Sequence, residues 1–129
     1  MIDRLGLTEA QRKAKDRVLL STYSITLEEY AAILESQGWR CAVCGRKYEK
    51  GIIFCVDHEH AKNGDGPVRG ILCFRCNRYK VGNLSLEEAK KIYQYLGNPP
   101  ARRIVGVRIG TKKKKKIRRR PKRSNASNH

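Results

Sequence analysis

The sequence predicts a small α+β domain, in which two cysteine pairs tie a β-hairpin to a helix and further helices lie on either side. Three observations predict it. Two Cys-x2-Cys pairs flank a segment of β-type residues and turns, helical patterns precede and follow them, and basic residues accumulate at the C-terminus. A chain of 129 residues lies at the short end of what one apolar core stabilises alone, so an additional cross-link is expected.

Two helices are predicted before the first cysteine pair. The first covers residues 7–20, with Thr8 as its N-cap, and the segment STYS interrupts its pattern. The second begins after Thr26, where Glu29 completes a capping box, and it ends at Gly38. Its apolar side chains share one face, which predicts packing in the core. These side chains are Leu27, Tyr30, Ile33 and Leu34.

A hairpin is predicted between the cysteine pairs. The segments IIFCV at 52–56 and VRGIL at 68–72 are rich in β-branched side chains, and NGDG at 63–66 is a dense turn signal. We therefore expect two strands joined by a long polar loop. Beyond Cys76 the segment NRYKV should turn helical.

The sequence after this point predicts one more helix. It covers residues 85–97, with Ser85 as its N-cap and Gly97 beyond its last turn. The segment NPP at 98–100 marks the end of the domain, and RIVGVRI at 103–109 has the composition of a lone strand. The chain is thus predicted to have three regions: a basic N-terminal extension at 1–21, a domain at 22–100 and a basic tail at 101–129.

The tail carries most of the net charge of +17. It holds 13 lysines and arginines and no acid, which leaves a net charge of +4 on the first 100 residues. The segment KKKKKIRRRPKR at 112–123 has almost no apolar side chains, so we expect it to be disordered when free. Such a run binds polyanions through counterion release, which favours a nucleic-acid partner over a solubilising or targeting role. The predicted contacts are Lys112, Lys113, Lys114, Lys115, Lys116, Arg118, Arg119 and Arg120.

The cytoplasm, in association with DNA or the nucleoid, is the compartment that the sequence predicts. No N-terminal segment has the pattern of a signal peptide, since the longest apolar run near the start is VLL at 18–20. No apolar stretch approaches the roughly 20 residues of a membrane span. In a reducing compartment, Cys-x2-Cys pairs bind metal more often than they form disulfides.

Four cysteines, Cys41, Cys44, Cys73 and Cys76, are predicted to bind one structural zinc ion. Each pair can present two thiolates, and four sulfurs complete a tetrahedral shell without an open position. An iron–sulfur cluster is a weaker alternative for the same ligands. The fifth cysteine, Cys55, is predicted to be a small buried hydrophobic residue.

If four thiolates fill the coordination shell of the zinc ion, the side chains of VDHEH at 56–60 are not needed as zinc ligands and can serve another function. This segment places two acids and two histidines directly after a predicted strand, and the amide of Asn77 follows the second cysteine pair. Because the cysteines should gather in one place, we expect Asn77 to lie close to the hairpin. A polar loop and a second structural zinc site are the alternatives.

These motifs together resemble the recombination endonuclease VII family, a branch of the HNH or ββα-metal nucleases. The segments that carry the resemblance are YSITLEEY, GWRCAVCGR, VDHEH and VRGILCFRCN, within residues 22–97. The resemblance implies an HNH-type fold stapled by zinc, in a phage or bacterial context. It also implies a metal-dependent DNA endonuclease that hydrolyses phosphodiester bonds and leaves 5′-phosphate and 3′-hydroxyl ends.

The resemblance further implies the roles of individual residues. Asp57 and Asn77 would bind a catalytic Mg²⁺, which Mn²⁺ can replace, and oxygen ligands suit that ion. His58 would be the general base, because histidine titrates near neutral pH, and His60 would orient the phosphate or stabilise the transition state. The sequence departs from the family in two respects. First, some members carry an acid three positions after the Asn, where this chain has Lys80. Second, a basic tail stands where the family has a longer helical region that builds dimers around a DNA junction. Whether this chain forms a homodimer is therefore left open.

DNA is the predicted partner, either branched, as in a Holliday junction, or duplex. Near the cysteine pairs, the basic side chains predicted to contact phosphates are Arg69, Arg75, Arg78 and Lys80. Two other functions remain open. The first is a non-catalytic zinc-knuckle protein that binds DNA or RNA, and the second is an HNH nickase that acts on duplex DNA or in phage genome processing.

Overall fold

The computed structural model describes residues 1–61 and 64–109, which contain helices and one two-stranded antiparallel sheet. A short 3-10 helix, Ile2–Leu5, precedes the main elements. These are helix α1 (Glu9–Tyr23), helix α2 (Leu27–Ser36), strand β1 (Phe54–Ala61), strand β2 (Gly64–Cys73), a π-helix (Cys76–Val81), helix α3 (Leu86–Gly97) and helix α4 (Pro100–Val105). The chain divides into two units after Lys90, and the candidate site lies in the first unit, Met1–Lys90. The predicted mixed α and β architecture is confirmed.

The two N-terminal helices begin where the sequence predicts. Thr8 caps α1 and forms a capping box with Gln11, and Thr26 caps α2 in a capping box with Glu29. Helix α1 is longer than predicted, because it continues through the STYS segment to Tyr23 and ends at Ser24, whose φ is 59°. Tyr23 packs against the core, so tertiary contact outweighs the weak helix propensity of this segment.

The core of the first unit lies between these helices and the hairpin. On α2 the predicted apolar face is confirmed, with three of its side chains buried and Ile33 packed against them. Trp39 is 2% exposed, and its indole N–H donates to Glu35 at 2.9 Å. The side chain of Gln37 accepts from the backbone N–H of Ile71 and donates to the Ile71 carbonyl, which ties the end of α2 to β2.

The hairpin is longer and its connection shorter than the sequence predicts. β1 extends to Ala61 and pairs there with Gly64, so the prediction of a long polar loop is wrong, and Asp57 to His60 lie inside the strand rather than after it. The pairing has two irregularities, between Asp57 and His58 and between His58 and His60. In each of them β2 advances one residue more than β1. Backbone pairing, rather than apolar side chains, therefore keeps this polar segment extended.

Gly66 is required by the close approach of the two strands. A Cβ atom at this position would lie 2.8 Å from the carbonyl oxygen of Glu59 and 2.9 Å from its Cβ. We expect Gly66→Ala to lower the free energy of unfolding by about 1–3 kcal/mol, because the backbone atom it meets cannot rotate away. Gly97→Ala is the matched control, since its Cβ would meet nothing within 4 Å. Urea unfolding of both variants checks this, and equal stability of the two would contradict it.

Helix α3 is confirmed, but the next element differs from the prediction. Ser85 and Glu88 exchange reciprocal hydrogen bonds at the start of α3, and Gly97 is its last residue rather than the one beyond it. The lone strand predicted at 103–109 is wrong, because Pro100–Val105 is helix α4. Pro100 occupies its first turn, where a missing backbone N–H costs nothing. The lysines and arginines predicted at 112–120 lie outside the described residues.

No helix in the described ranges has the length and apolar character needed to cross a membrane.

Candidate metal and phosphodiester site

Four cysteines come together at one end of the hairpin, as predicted. Cys41, Cys44, Cys73 and Cys76 place their sulfurs within 4.8 Å of one another, and all but Cys44 are buried. Cys73 ends β2 and Cys76 begins the π-helix, so the cluster joins these two elements. The other two cysteines flank a tight turn that the Cys41 carbonyl closes by accepting from the Gly45 N–H at 3.0 Å.

The geometry of this cluster fits zinc. A tetrahedron with metal–sulfur bonds of about 2.3 Å has sulfur–sulfur edges of about 3.8 Å. The Sγ atoms of Cys44 and Cys73 lie 3.7 Å apart, close to that edge. All donors are soft sulfurs, a set that favours Zn²⁺ over Mg²⁺ or Ca²⁺.

The electrostatics of the cluster also favour a cation at its centre. Burial opposes ionisation of Cys41, yet hydrogen bonds from the backbone of Cys44, Cys73 and Val43 lower its pKa to about 6. Burial and the three neighbouring cysteines raise the pKa of Cys76 to about 12. Thiols this close cannot all ionise against one another, so full thiolate character requires a positive charge among them.

Cys55 differs from its predicted role as a buried hydrophobic residue. It is only half-buried, on the face of β1 that also carries Asp57. Burial raises the pKa of its thiol, and a hydrogen bond with the Asn77 side chain lowers it. Cys55 is thus a polar neighbour of Asn77 and lies outside the four-sulfur cluster.

A cleft of about 380 Å³ gathers the residues that the sequence singled out for metal and phosphate chemistry. Asp57, His58 and His60 reach it from β1, and Asn77 and Arg78 reach it from the first turn of the π-helix. Gly82 and Asn83 complete its lining. The expectation that the cysteines bring Asn77 to the hairpin is met by this shared cleft. Asn83 was missed, because nothing in its sequence context marks it as a site residue.

Asp57 is the one buried charged side chain in the described part of the chain, at 6% exposure. Arg69 holds it with two hydrogen bonds: its Nε donates to Oδ2 at 2.7 Å and its Nη2 donates to Oδ1 at 2.9 Å. The hydrogen bond to Asp57 raises the pKa of Arg69 despite partial burial. The guanidinium therefore neutralises a carboxylate that burial alone would destabilise.

His58 lies between two aromatic rings. Its ring centroid is 5.7 Å from that of Tyr23, at the end of α1, and 4.8 Å from that of His60. The two histidines share one face of β1, as the alternation of a strand requires, and Glu59 lies on the other. Glu59 borders a neighbouring cavity of about 500 Å³ together with His60 and Arg69. The contact from Tyr23 was missed, because the sequence predicted a break in the helix at that point.

The basic residues predicted to contact phosphates have different surroundings. Arg75, Arg78 and Lys80 are exposed, and Arg78 borders the cleft. Arg69 is paired with Asp57. Their contacts with DNA stay predictions, as do the ligand and base roles of the cleft residues.

The chain matches known proteins over most of its length. Residues 16–98 match the family model of recombination endonuclease VII. A Gene 59 protein of Mycobacterium phage D29 is 42% identical over 102 residues, which are 78% of this chain and 60% of that protein. A Gene 59 protein of Mycobacterium phage L5 is 42% identical over 103 residues, 78% of this chain and 61% of that protein. No solved structure matches.

The chain thus spans about three fifths of the length of these phage relatives. The family match contains all four clustered cysteines and every residue named above from β1 and the π-helix. On the extent of that match, the chain belongs to the recombination endonuclease VII family.

Proposed function

We propose that this protein is a metal-dependent endonuclease of the HNH type that hydrolyses phosphodiester bonds in branched DNA. The observation that carries the proposal is the cleft shared by Asp57, His58, His60 and Asn77. A protein that only binds nucleic acid has no need to gather a carboxylate, two imidazoles and an amide in one cleft. Family membership supports the same chemistry and names DNA recombination as its setting.

The four cysteines would hold a structural zinc ion. Their sulfur shell leaves no open position, so this ion would not touch the substrate. Its role would be to fix the end of β2 against the π-helix, and through them the distance between Asp57 and Asn77. The zinc shell and the cleft would therefore be separate sites with separate tasks.

Asp57 and Asn77 would hold the catalytic magnesium ion. One carboxylate and one amide oxygen in a single cleft suit a hard cation that keeps several of its waters. When bound there, the ion would stabilise negative charge on the phosphate and on the leaving oxygen. Mn²⁺ has the same preference for oxygen donors and should replace it.

His58 would take the proton from the attacking water. Its ring is packed between Tyr23 and His60, which restricts its orientation before the substrate binds. His60 and Arg78, which both line this cleft, would hold the phosphate through hydrogen bonds and the charge of Arg78. The proton would move from water to the His58 imidazole as the new P–O bond forms and the bond to the 3′ oxygen breaks.

Cleavage of a synthetic four-way junction tests the proposal. We expect zinc-loaded protein to cut the junction with Mg²⁺ or Mn²⁺ and not in EDTA, and the nicks to be sealed by DNA ligase, which requires 5′-phosphate and 3′-hydroxyl ends. A linear duplex of the same sequence is the matched control and should be cut more slowly. Equal rates on both substrates would contradict the preference for branched DNA. Junction binding without cutting would instead favour the zinc-knuckle binding protein.

A further inference from the structure

Arg69 and a catalytic cation would need the same carboxylate. Each oxygen of Asp57 already accepts one hydrogen bond from the guanidinium, at 2.9 and 2.7 Å. The Asp57 side chain is 8% exposed, so an unpaired negative charge at this position would be costly. A dication within about 4 Å of the guanidinium would repel it, since this part of the site is poorly screened. The two cations should therefore exclude each other.

Arg69 has open space beside it into which its side chain can move. Its side chain is 29% exposed, whereas that of Asp57 is 8% exposed. It also borders the open cavity of about 500 Å³ beside the cleft, together with Glu59 and His60. Glu59 interacts electrostatically with Arg69, and it is the next anion that the guanidinium would meet. A rotation of the arginine side chain toward this cavity would uncover Asp57.

We propose that Arg69 is the resident counter-cation of Asp57, that a divalent cation displaces its guanidinium, and that the displaced guanidinium then binds a phosphate of the DNA. This inference rests on the proposed function, because it takes Asp57 as the cation ligand. It makes Arg69 a positioning residue that holds the Asp57 carboxylate in place, through two hydrogen bonds, until the cation arrives. It also couples cation binding to DNA binding, because each favours the state in which Arg69 has left Asp57.

Cation binding without DNA is the first test. Mn²⁺ affinity would be measured by electron paramagnetic resonance on zinc-loaded, full-length protein. Arg69→Gln should bind Mn²⁺ about tenfold more tightly than wild type, because the cation no longer competes with a pair of charged hydrogen bonds. Arg69→Lys keeps the positive charge but loses the bidentate hydrogen bonding, so its Mn²⁺ affinity should lie between those of wild type and Arg69→Gln. A residue with a merely structural role would weaken cation binding when replaced, and that result would overturn the proposal.

Asp57→Asn distinguishes a failure of the proposed Arg69 displacement from a failure of the proposed cation site. If it loses Mn²⁺ binding while Arg69→Gln shows no gain, the displacement is wrong and the metal site stands. If Asp57→Asn binds Mn²⁺ as tightly as wild type, the cation site at Asp57 is wrong, and the proposed function fails with it. Retained zinc and an unchanged circular dichroism spectrum are required of each variant.

NMR spectroscopy of the wild-type protein tests the proposal without relying on the folding of any variant. In ¹⁵N-labelled protein, the Nε–H of Arg69 should be protected from exchange while it donates to Asp57. Titration with Mg²⁺ should shift this resonance and remove its protection at the concentration that fills the site. Protection that persists at saturating Mg²⁺ would overturn the proposal.

Discussion

Replacement of His58 by alanine should lower the rate of junction cleavage by about 10²- to 10⁴-fold, the usual contribution of a general base. The expected loss is large because His58 reaches the cleft in a fixed position, between the rings of Tyr23 and His60. Among the other described residues that line the cleft, His60 alone carries a second imidazole, and its proposed partner is the phosphate. Single-turnover cleavage with saturating Mg²⁺ measures the chemical step directly.

His60→Ala is the matched comparison, because it removes an identical side chain from the same face of β1. Its cleavage rate should fall less than that of His58→Ala, and its DNA affinity should fall more, since its proposed role is to hold the phosphate. Both variants should keep their zinc, since neither histidine belongs to the sulfur cluster. A rate for His58→Ala within threefold of wild type would remove it as the base, and a reversed order would exchange the two roles.

Local signals in the sequence were sufficient to predict where helices α1, α2 and α3 begin. The capping boxes at Thr8 and Thr26 depend on side chains three residues away, so the sequence contains all that is needed. The cysteine cluster was predictable for a similar reason, because two Cys-x2-Cys pairs are a typical spacing of cysteines that bind one metal ion. The α2 core face follows from helical periodicity alone.

The polar half of β1 could not be predicted in this way. Asp57 to His60 have no apolar alternation, and only pairing with β2 makes them a strand. Tyr23 presents the same difficulty, since its contact with His58 joins elements far apart in the chain. In the C-terminal part, the β-branched residues near 103–109 favoured a strand, whereas Pro100 starts a helix there.

The ion pair between Asp57 and Arg69 could not be predicted from the local sequence pattern. Arg69 lies at the irregularity where β2 advances by an extra residue, opposite the step from Asp57 to His58. In regular pairing a shift of one residue moves a side chain to the other face of the sheet. Sequence reasoning therefore assigned Arg69 to DNA and Asp57 to metal, and it could not anticipate that the two side chains hold each other.

Loss of the proposed zinc ion from the cysteine cluster should unfold the first unit. Structural zinc sites in small domains contribute about 10–16 kcal/mol of apparent binding free energy at neutral pH, more than the whole stability of most domains of this size. Cys41→Ser and Cys76→Ser should therefore abolish the cooperative thermal transition and the bound zinc together. Both residues are buried, and Cys76 links the sheet to the π-helix that carries Asn77. Calorimetry and metal analysis by mass spectrometry measure the two losses.

Cys55→Ser is the matched control, because it removes the one cysteine that lies outside the four-sulfur cluster. It should retain one zinc ion per chain and a cooperative transition, with at most a modest loss of stability, since a serine hydroxyl can keep the hydrogen bond with Asn77. If Cys41→Ser unfolds cooperatively at the same temperature as wild type, metal binding does not stabilise the fold. In that case contacts other than the metal, among them the hydrogen bond with Cys55, would hold Asn77 beside the hairpin.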